Sequence, residues 1–235
     1  MTAKVDEYWS RFFGLTVDQL LGTDIHVVPH AALGEYSGAW IFWNGHTTVI
    51  SVPELWVHKI RHRIQSIGEL TPSEQTAREL FGSDIDRIIG PAYHGYVEAK
   101  DFRPRPSSLV RQLHDDDLQG LDELAKSGDL KGWSDGGFDG KSDGIFGCYV
   151  DRQLISVSRF LSVLSYGAHM GIYTHPDHRH KGYAALALSA CMQHVLNQGL
   201  LVVCQTLLVN KAAIELSKSL GCKEYARHLA VRLKS

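Results

Sequence analysis

A short segment in the second half of the chain carries the residue types that could bind a phosphate group. It reads Thr174-His-Pro-Asp-His-Arg179-His-Lys-Gly182-Tyr-Ala184, so a proline turn precedes the pattern Arg-x-x-Gly-x-Ala. Glycine lets the backbone approach a ligand closely, and the first N–H groups of a helix have no partner within the helix. Such a helix start attracts anions, above all phosphate. The segment therefore predicts an anion site, although the glycine would also suit a tight turn without a ligand.

The elements around this segment must position it, and they follow a clear order. Apolar residues spaced by three and four positions predict a helix that starts close to Gly182. A strand predicted at residues 169–174 precedes this helix, and an apolar strand at residues 200–208 follows it. The next residues, from Asn210 to Gly221, predict a short capped helix. Upstream, short turns between apolar runs predict an antiparallel meander. The pattern indicates a mixed α and β fold.

With this order of elements, residues 108–235 resemble the GNAT superfamily of acyl-CoA-dependent N-acyltransferases. VRQLHDDDLQGLDEL is similar to the opening strand and helix of that family, THPDHRHKGYA to its acetyl-CoA loop, and NKAAIELSKSLGC to its second cofactor motif. The fold class we expect is α+β (mixed α/β). The resemblance implies a GNAT-like acyltransferase domain with a central, mostly antiparallel sheet flanked by helices, preceded by a smaller α/β N-terminal domain.

We predict two domains, an accessory α/β domain at residues 1–104 and an acetyltransferase-like domain at residues 105–235. The boundary rests on residues 100–108, which combine two prolines with several polar residues. The two parts also differ in composition, because four of the five tryptophans precede residue 60 and all four cysteines follow residue 147. The first part has no recognisable catalytic set, so we expect it to shape the acceptor pocket or a contact in a homodimer.

The resemblance implies which residues hold the cosubstrate acetyl-CoA. Ile172 and Thr174 would offer backbone groups to the pantetheine arm and the thioester, and Asn210 would contact the same arm. The pyrophosphate would lie against the loop, whose predicted cofactor-binding residues are Arg179, His180, Lys181, Gly182, Tyr183 and Ala184. For Asn210 a purely structural role as a helix N-cap is an equal alternative.

The residues for proton transfer depart from the family pattern. The usual glutamate base on the central strand is absent, and Ser217 stands where relatives often carry a tyrosine. His169 is the candidate general base, because it precedes the cofactor-facing end of the strand and histidine titrates near neutral pH. A histidine packed on a sheet face is the alternative. Tyr225 or water is the candidate acid for the departing thiolate, whereas Ser217 would donate only a hydrogen bond.

The sequence thus predicts an N-acetyltransferase that moves an acetyl group from acetyl-CoA to an amine of a small molecule or protein. The amine would attack the thioester directly in a ternary complex. The alternative is a non-catalytic acyl-CoA-binding regulatory module of the same fold. A structural or dimerising protein with a coincidental turn at Gly182 is a third interpretation.

Composition argues against several other classes of protein. The 235 residues carry a formal net charge of -2, so a broad basic face for nucleic acid is not expected. No stretch approaches the ~20 apolar residues that span a bilayer, and no secretory signal is recognisable. We therefore expect a cytoplasmic protein without a membrane partner. His175, His178 and His180 lack an accompanying set of thiolate and carboxylate ligands, so no metal is expected.

Overall fold

The computed structural model of the protein describes residues 3–65, 70, 72–126 and 128–234. The chain forms two compact units. The first comprises residues 1–95, 205–214 and 224–235, and the second comprises residues 96–204 and 215–223. The domain boundary predicted between residues 104 and 105 stays a prediction.

The elements are numbered in chain order. They are α1 (Lys4–Phe13), α2 (Val17–Leu21), β1 (Ile25–Pro29), β2 (Gly38–Trp43), β3 (Thr48–Val52), α3 (Glu54–Ile64), α4 (Glu74–Phe81), β4 (Ile85–Val97), β5 (Val110–Gln112), α5 (Leu118–Lys126), α6 (Leu130–Asp135), β6 (Gly144–Val150), β7 (Gln153–Val163), β8 (Gly167–Thr174), α7 (Tyr183–Asn197), β9 (Leu201–Leu207), α8 (Lys211–Ser219) and β10 (Lys223–Leu233). In the part of the chain that the structure describes, no helix combines the length and the apolar character needed to cross a membrane.

The first unit is built on the strand order β1-β3-β2-β10-β4. Strand β2 pairs antiparallel with β3 and β10, and β1 lies parallel to β3. Because side chains alternate between the two faces of a strand, β2 contributes to two cores. Ile41 joins an aliphatic cluster with Leu229 of β10. Phe42 instead meets the aromatic side of α1, with its ring centroid 4.7 Å from that of Trp9.

The second unit carries the strand order β9-β8-β7-β6-β5. Antiparallel register joins β5 to β6, β6 to β7 and β7 to β8, whereas β8 and β9 are parallel. Helix α7 connects the parallel pair, since parallel neighbours cannot be joined by a tight turn. The predicted α+β fold with a mostly antiparallel sheet flanked by helices is confirmed.

Helices cover both faces of the sheet in the second unit. On one face, Leu188 of α7 packs in a cluster with Ala168 of β8. On the other face, Trp133 of α6 packs in a cluster with Tyr173 of β8. Successive residues of β8 therefore point alternately towards α7 and towards α6.

Candidate active site

The N-terminus of α7 is the candidate anion site. Gly182 is the N-cap residue, with a φ of 88° and no capping side chain. Within the described residues, no acceptor receives a hydrogen bond from the backbone N–H groups of residues 180–184. A Cβ atom placed on Gly182 would meet nothing within 4 Å. The donors at the positive end of a helix of 15 residues therefore face open space.

The backbone of this loop also adopts an uncommon conformation at His180. Its φ is 63°, in the left-handed region that residues other than glycine rarely occupy. Such conformations persist only where the surrounding structure holds them, and they cluster at ligand sites. This left-handed residue lies two positions before Gly182, the N-cap of α7.

Side chains hold the loop in place. Arg179 donates from Nε to the carbonyl oxygen of Thr174 at 3.1 Å, and its Nη2 forms an ion pair with Asp129 at 3.0 Å. Asp129 is the N-cap of α6, and the Gly132 N–H together with Arg179 holds the pKa of its carboxyl below the usual range. The backbone N–H of Arg179 donates to Pro176, so the open donors begin at His180. Arg179 anchors the loop to two other elements.

Strand β8 leads into the loop along an open edge. Its parallel pairing with β9 joins residues 167–169 to residues 201–203 and extends no further in the described part of the chain. Residues 170–174 continue to pair with β7 on the other edge. Ile172 and Thr174 therefore lie on a strand end that has separated from one neighbour. The structure places these two residues and the loop on consecutive elements of the second unit, and their predicted contacts with the cosubstrate stay predictions.

His169, the candidate general base, lies half-buried on β8. Burial lowers the pKa of its imidazole to about 4, and the charge of Arg159 adds to this effect. The ring is therefore neutral at physiological pH and able to accept a proton. It is a weak base, however, because general bases act best when their pKa lies near the working pH.

The other catalytic and arm-binding candidates have structural contacts of their own. Ser217 is buried in α8, and its carbonyl oxygen accepts from the N–H groups of residues 220 and 222. Tyr225 donates its hydroxyl proton to Asp6 at 2.8 Å. Asn210 is the predicted helix cap and accepts from the N–H of Ala213 at 3.2 Å. Asn210 and Tyr225 belong to the first unit, whereas His169 and Ser217 belong to the second. Their catalytic and binding roles stay predictions.

The sequence did not single out one charged residue beside His169. Arg159 of β7 is 8% exposed and pairs with Gly171 of β8. Its Nη1 donates to the carbonyl oxygens of Gly137 and Lys141, the latter at 2.8 Å. A charged residue in the middle of an apolar strand is the signal that identifies this position in retrospect.

The cysteines do not offer an activated nucleophile. All four are buried thiols. Burial raises the pKa of Cys148, and the hydrogen bond between Cys204 and Cys222 together with burial raises the pKa of Cys204. A thiol whose pKa is raised carries little thiolate, the reactive form. Across the residues that the structure describes, no three His, Cys, Asp or Glu side chains come together as a metal site.

Comparisons with known proteins extend these observations. Residues 108–222 match the family described as the acetyltransferase (GNAT) family. Among solved structures, the chain is similar to a GNAT-family protein from Novosphingobium aromaticivorans DSM 12444, with 18% identity, a TM-score of 0.51, and coverage of 72% of this chain and 71% of that chain. It is also similar to an acetyltransferase of the GNAT family from Colwellia psychrerythraea, with 16% identity, a TM-score of 0.53, and coverage of 78% and 75%. At these identities the likeness establishes the fold. No curated protein matches the sequence.

Proposed function

Residues 108–222 belong to the acetyltransferase (GNAT) family, and we propose that the protein moves an acetyl group from acetyl-CoA to an amine. The acceptor is an amine of a small molecule or protein, and it attacks the thioester directly in a ternary complex. The observation that carries the proposal is the open N-terminus of α7, where residues 180–184 present backbone N–H groups that have no acceptor within the described chain.

This loop fits the pyrophosphate of CoA in three respects. The N–H donors of residues 180–184 are adjacent, and Gly182 leaves space in front of them. The first turn of α7 contains no acidic residue, so no carboxylate opposes a bound phosphate. The ion pair of Arg179 with Asp129 keeps the loop in shape before any ligand arrives. These backbone groups would hold the pyrophosphate.

Orientation of the thioester and proton transfer would depend on β8 and the space beside it. When bound, acetyl-CoA supplies a thioester whose acetyl group is transferred to the amine. Ile172 and Thr174 would orient the pantetheine arm along the open strand edge, and alignment of two reactants can supply much of the rate acceleration. His169, neutral at physiological pH, would accept the proton that the amine loses, directly or through one water. The departing thiolate would take a proton from water.

Two observations favour the second function, a non-catalytic acyl-CoA-binding regulatory module. The pKa of His169 is about 4, which makes it a weak base. The hydroxyl of Tyr225, the candidate acid, already donates to Asp6. Neither observation affects the phosphate-binding loop, so a binding module would keep the first half of the proposed function and lose the second.

Two measurements on the full chain separate these functions. Titration calorimetry with acetyl-CoA tests the loop, and release of free thiol over a panel of amines tests transfer, with a reaction lacking amine as the control for hydrolysis. We expect binding, and thiol release with at least one amine. Binding without amine-dependent thiol release would establish the regulatory module instead. Absence of acetyl-CoA binding by the folded protein would overturn both functions.

A further inference from the structure

We propose that the first unit binds a protonated organic amine in a surface cavity at the carboxyl ends of β1 and β3. Glu35 and Glu54 would hold the ammonium group, and flat side chains would cover the hydrocarbon part of the molecule. Every residue that lines this cavity belongs to the first unit. The inference therefore does not depend on the acetyl transfer proposed for the second unit, and it can be tested without turnover.

The cavity is large enough for a small organic molecule. Its volume is about 420 Å³, and pockets that bind small ligands measure roughly 300–1,000 Å³. It lies where the parallel strands β1 and β3 end together, since Pro29 is opposite Val52. Ligands of open α/β sheets bind at such carboxyl ends. The lining consists mainly of the residues that follow these strands, among them Pro29, His30, Glu35, Tyr36, Pro53 and Glu54.

The charges on this lining are negative. Of the described residues that line the cavity, none is a lysine or an arginine. Burial lowers the pKa of His30 and raises that of Tyr36, so both of these side chains are neutral at physiological pH. Glu35 and Glu54 are exposed, and neither has an ion-pair partner among the described residues. Two unpaired carboxylates at one cavity favour a cationic ligand.

Contacts within the first unit hold the walls of the cavity in place. Nε2 of His30 donates to the carbonyl oxygen of Gly38 at 3.1 Å, so Nδ1 of the neutral ring accepts from the hydroxyl of Ser51 at 2.8 Å. The ring of Tyr36 meets that of His30 edge-on, with 5.8 Å between the centroids. The guanidinium of Arg232 packs on the Tyr36 ring at 4.4 Å. Because both rings are positioned before a ligand arrives, binding costs less conformational entropy.

The same walls argue against other ligands. An inorganic cation needs a shell of oxygen ligands, whereas proline and aromatic rings suit a hydrocarbon surface. An anion would need a basic group, and Arg232 contacts Tyr36 without lining the cavity. Glu54 also stabilises the start of α3, where it lies in the first turn. Glu35 belongs to the loop between β1 and β2, so a helix start does not explain its position.

The test compares ligands that differ only in charge. The full chain without acetyl-CoA is titrated calorimetrically with phenethylamine, with phenylethanol and with phenylpropionate, and the series is repeated with hexylamine, hexanol and heptanoate. We expect the amine to bind roughly 10-fold more tightly than the alcohol, because a charge-assisted pair contributes on that order, and the preference should shrink at high salt. Equal affinities of amine and alcohol in both series would overturn the inference. So would tighter binding of the carboxylate, because the ligand would then be an anion.

Variants assign the preference to the cavity. A protein with both Glu35→Gln and Glu54→Gln should bind the amine and the alcohol equally. Glu79→Gln, which removes an exposed carboxylate from α4 of the same unit, should keep the preference of the wild type. A double variant that is folded by circular dichroism and retains the preference would overturn the assignment. If the double variant does not fold, Glu35→Gln alone should lower the preference by about threefold, and an undiminished preference would overturn the assignment equally.

Turnover distinguishes this inference from the proposed function. An amine preference that depends on Glu35 and Glu54, without amine-dependent thiol release, would support the cavity site and contradict acetyl transfer. Amine-dependent thiol release, together with an amine preference that the double variant retains, would support acetyl transfer and contradict the cavity site.

Discussion

Two segments of the second unit use glycine for opposite reasons. A Cβ on Gly182 would meet nothing within 4 Å, whereas a Cβ on Gly171 would lie 2.0 Å from the carbonyl oxygen of Gly136. At the start of α7 the missing side chain leaves open space in front of unpaired N–H groups. At β8 it lets the turn after α6 pack directly on the strand. A glycine therefore marks a candidate ligand site only where the space it leaves stays empty.

The largest effect should come from Gly171→Val. The new side chain would meet the Gly136 carbonyl oxygen and the side chain of Arg159, and the first of these is backbone that cannot turn aside. Overpacking against backbone should cost about 4 kcal/mol of unfolding free energy, at the upper end for single substitutions. Urea denaturation followed by tryptophan fluorescence measures the loss.

Gly182→Ala is the matched control for that substitution. It adds a Cβ into open space, so only the left-handed φ of 88° opposes it, at a cost of about 1 kcal/mol. Equal losses of stability in the two variants would contradict the distinction between packed and open glycines.

The second prediction tests the open start of α7 around Gly182 through the binding of acetyl-CoA. Gly182→Glu places a longer, negatively charged side chain where the phosphate would approach, while the unfolding free energy should change little more than in Gly182→Ala. We expect the affinity for acetyl-CoA to fall by roughly 100-fold or more, since about 1.4 kcal/mol corresponds to each factor of ten. A folded Gly182→Glu protein that keeps wild-type affinity in calorimetry would show that the site lies elsewhere.

The open start of α7 around Gly182 could be predicted from the sequence because the residues that produce it are close together in the chain. The proline turn, the glycine and the apolar spacing of α7 lie within one short stretch, and they specify a helix start without a capping side chain. The left-handed conformation of His180 has no such local signal in the sequence. The antiparallel order of β6, β7 and β8 was also accessible, since short turns between apolar runs indicate antiparallel neighbours.

The close packing of Gly171 against Gly136 could not be predicted in the same way. The contact of Gly136 with Gly171 depends on how α6 meets β8, and residues that are distant in the chain leave no spacing pattern. The burial of Arg159 and its effect on His169 have the same origin. The return of residues 205–214 and 224–235 to the first unit likewise depends on tertiary packing, which composition does not report.

The third prediction concerns His169, which lies on the packed side of β8. Its pKa is lowered to about 4 in the folded protein, and an unfolded histidine titrates near 6.5. The unfolded state therefore binds the proton first, and the folded state loses stability as the pH falls from about 6.5 to about 4, by about 3 kcal/mol. This contribution is fully present above about pH 6.5.

The His169 prediction is measured by urea denaturation at several pH values, and by NMR titration of the imidazole ring. His169→Gln should abolish this part of the pH dependence, and turnover of the wild type should show an acidic limb near pH 4. A ring that titrates near 6.5 in the folded protein would contradict the buried environment of His169. Such a pKa would mean that the imidazole is in contact with solvent.

The smallest effect should come from Tyr225→Phe, which changes neither Gly171 nor the start of α7 at Gly182. The substitution removes the hydrogen bond to Asp6 and keeps the ring, so we expect a loss of about 1 kcal/mol of unfolding free energy. Acetyl-CoA affinity should be unchanged, and kcat should fall less than threefold, because the single hydroxyl proton of Tyr225 is already donated to Asp6. Ser217→Ala is the companion variant at the residue predicted to donate only a hydrogen bond, and its turnover should also stay near that of the wild type. A fall in kcat of more than tenfold in Tyr225→Phe, with affinity and stability otherwise as expected, would identify Tyr225 as the acid that protonates the thiolate and would exclude water from that role.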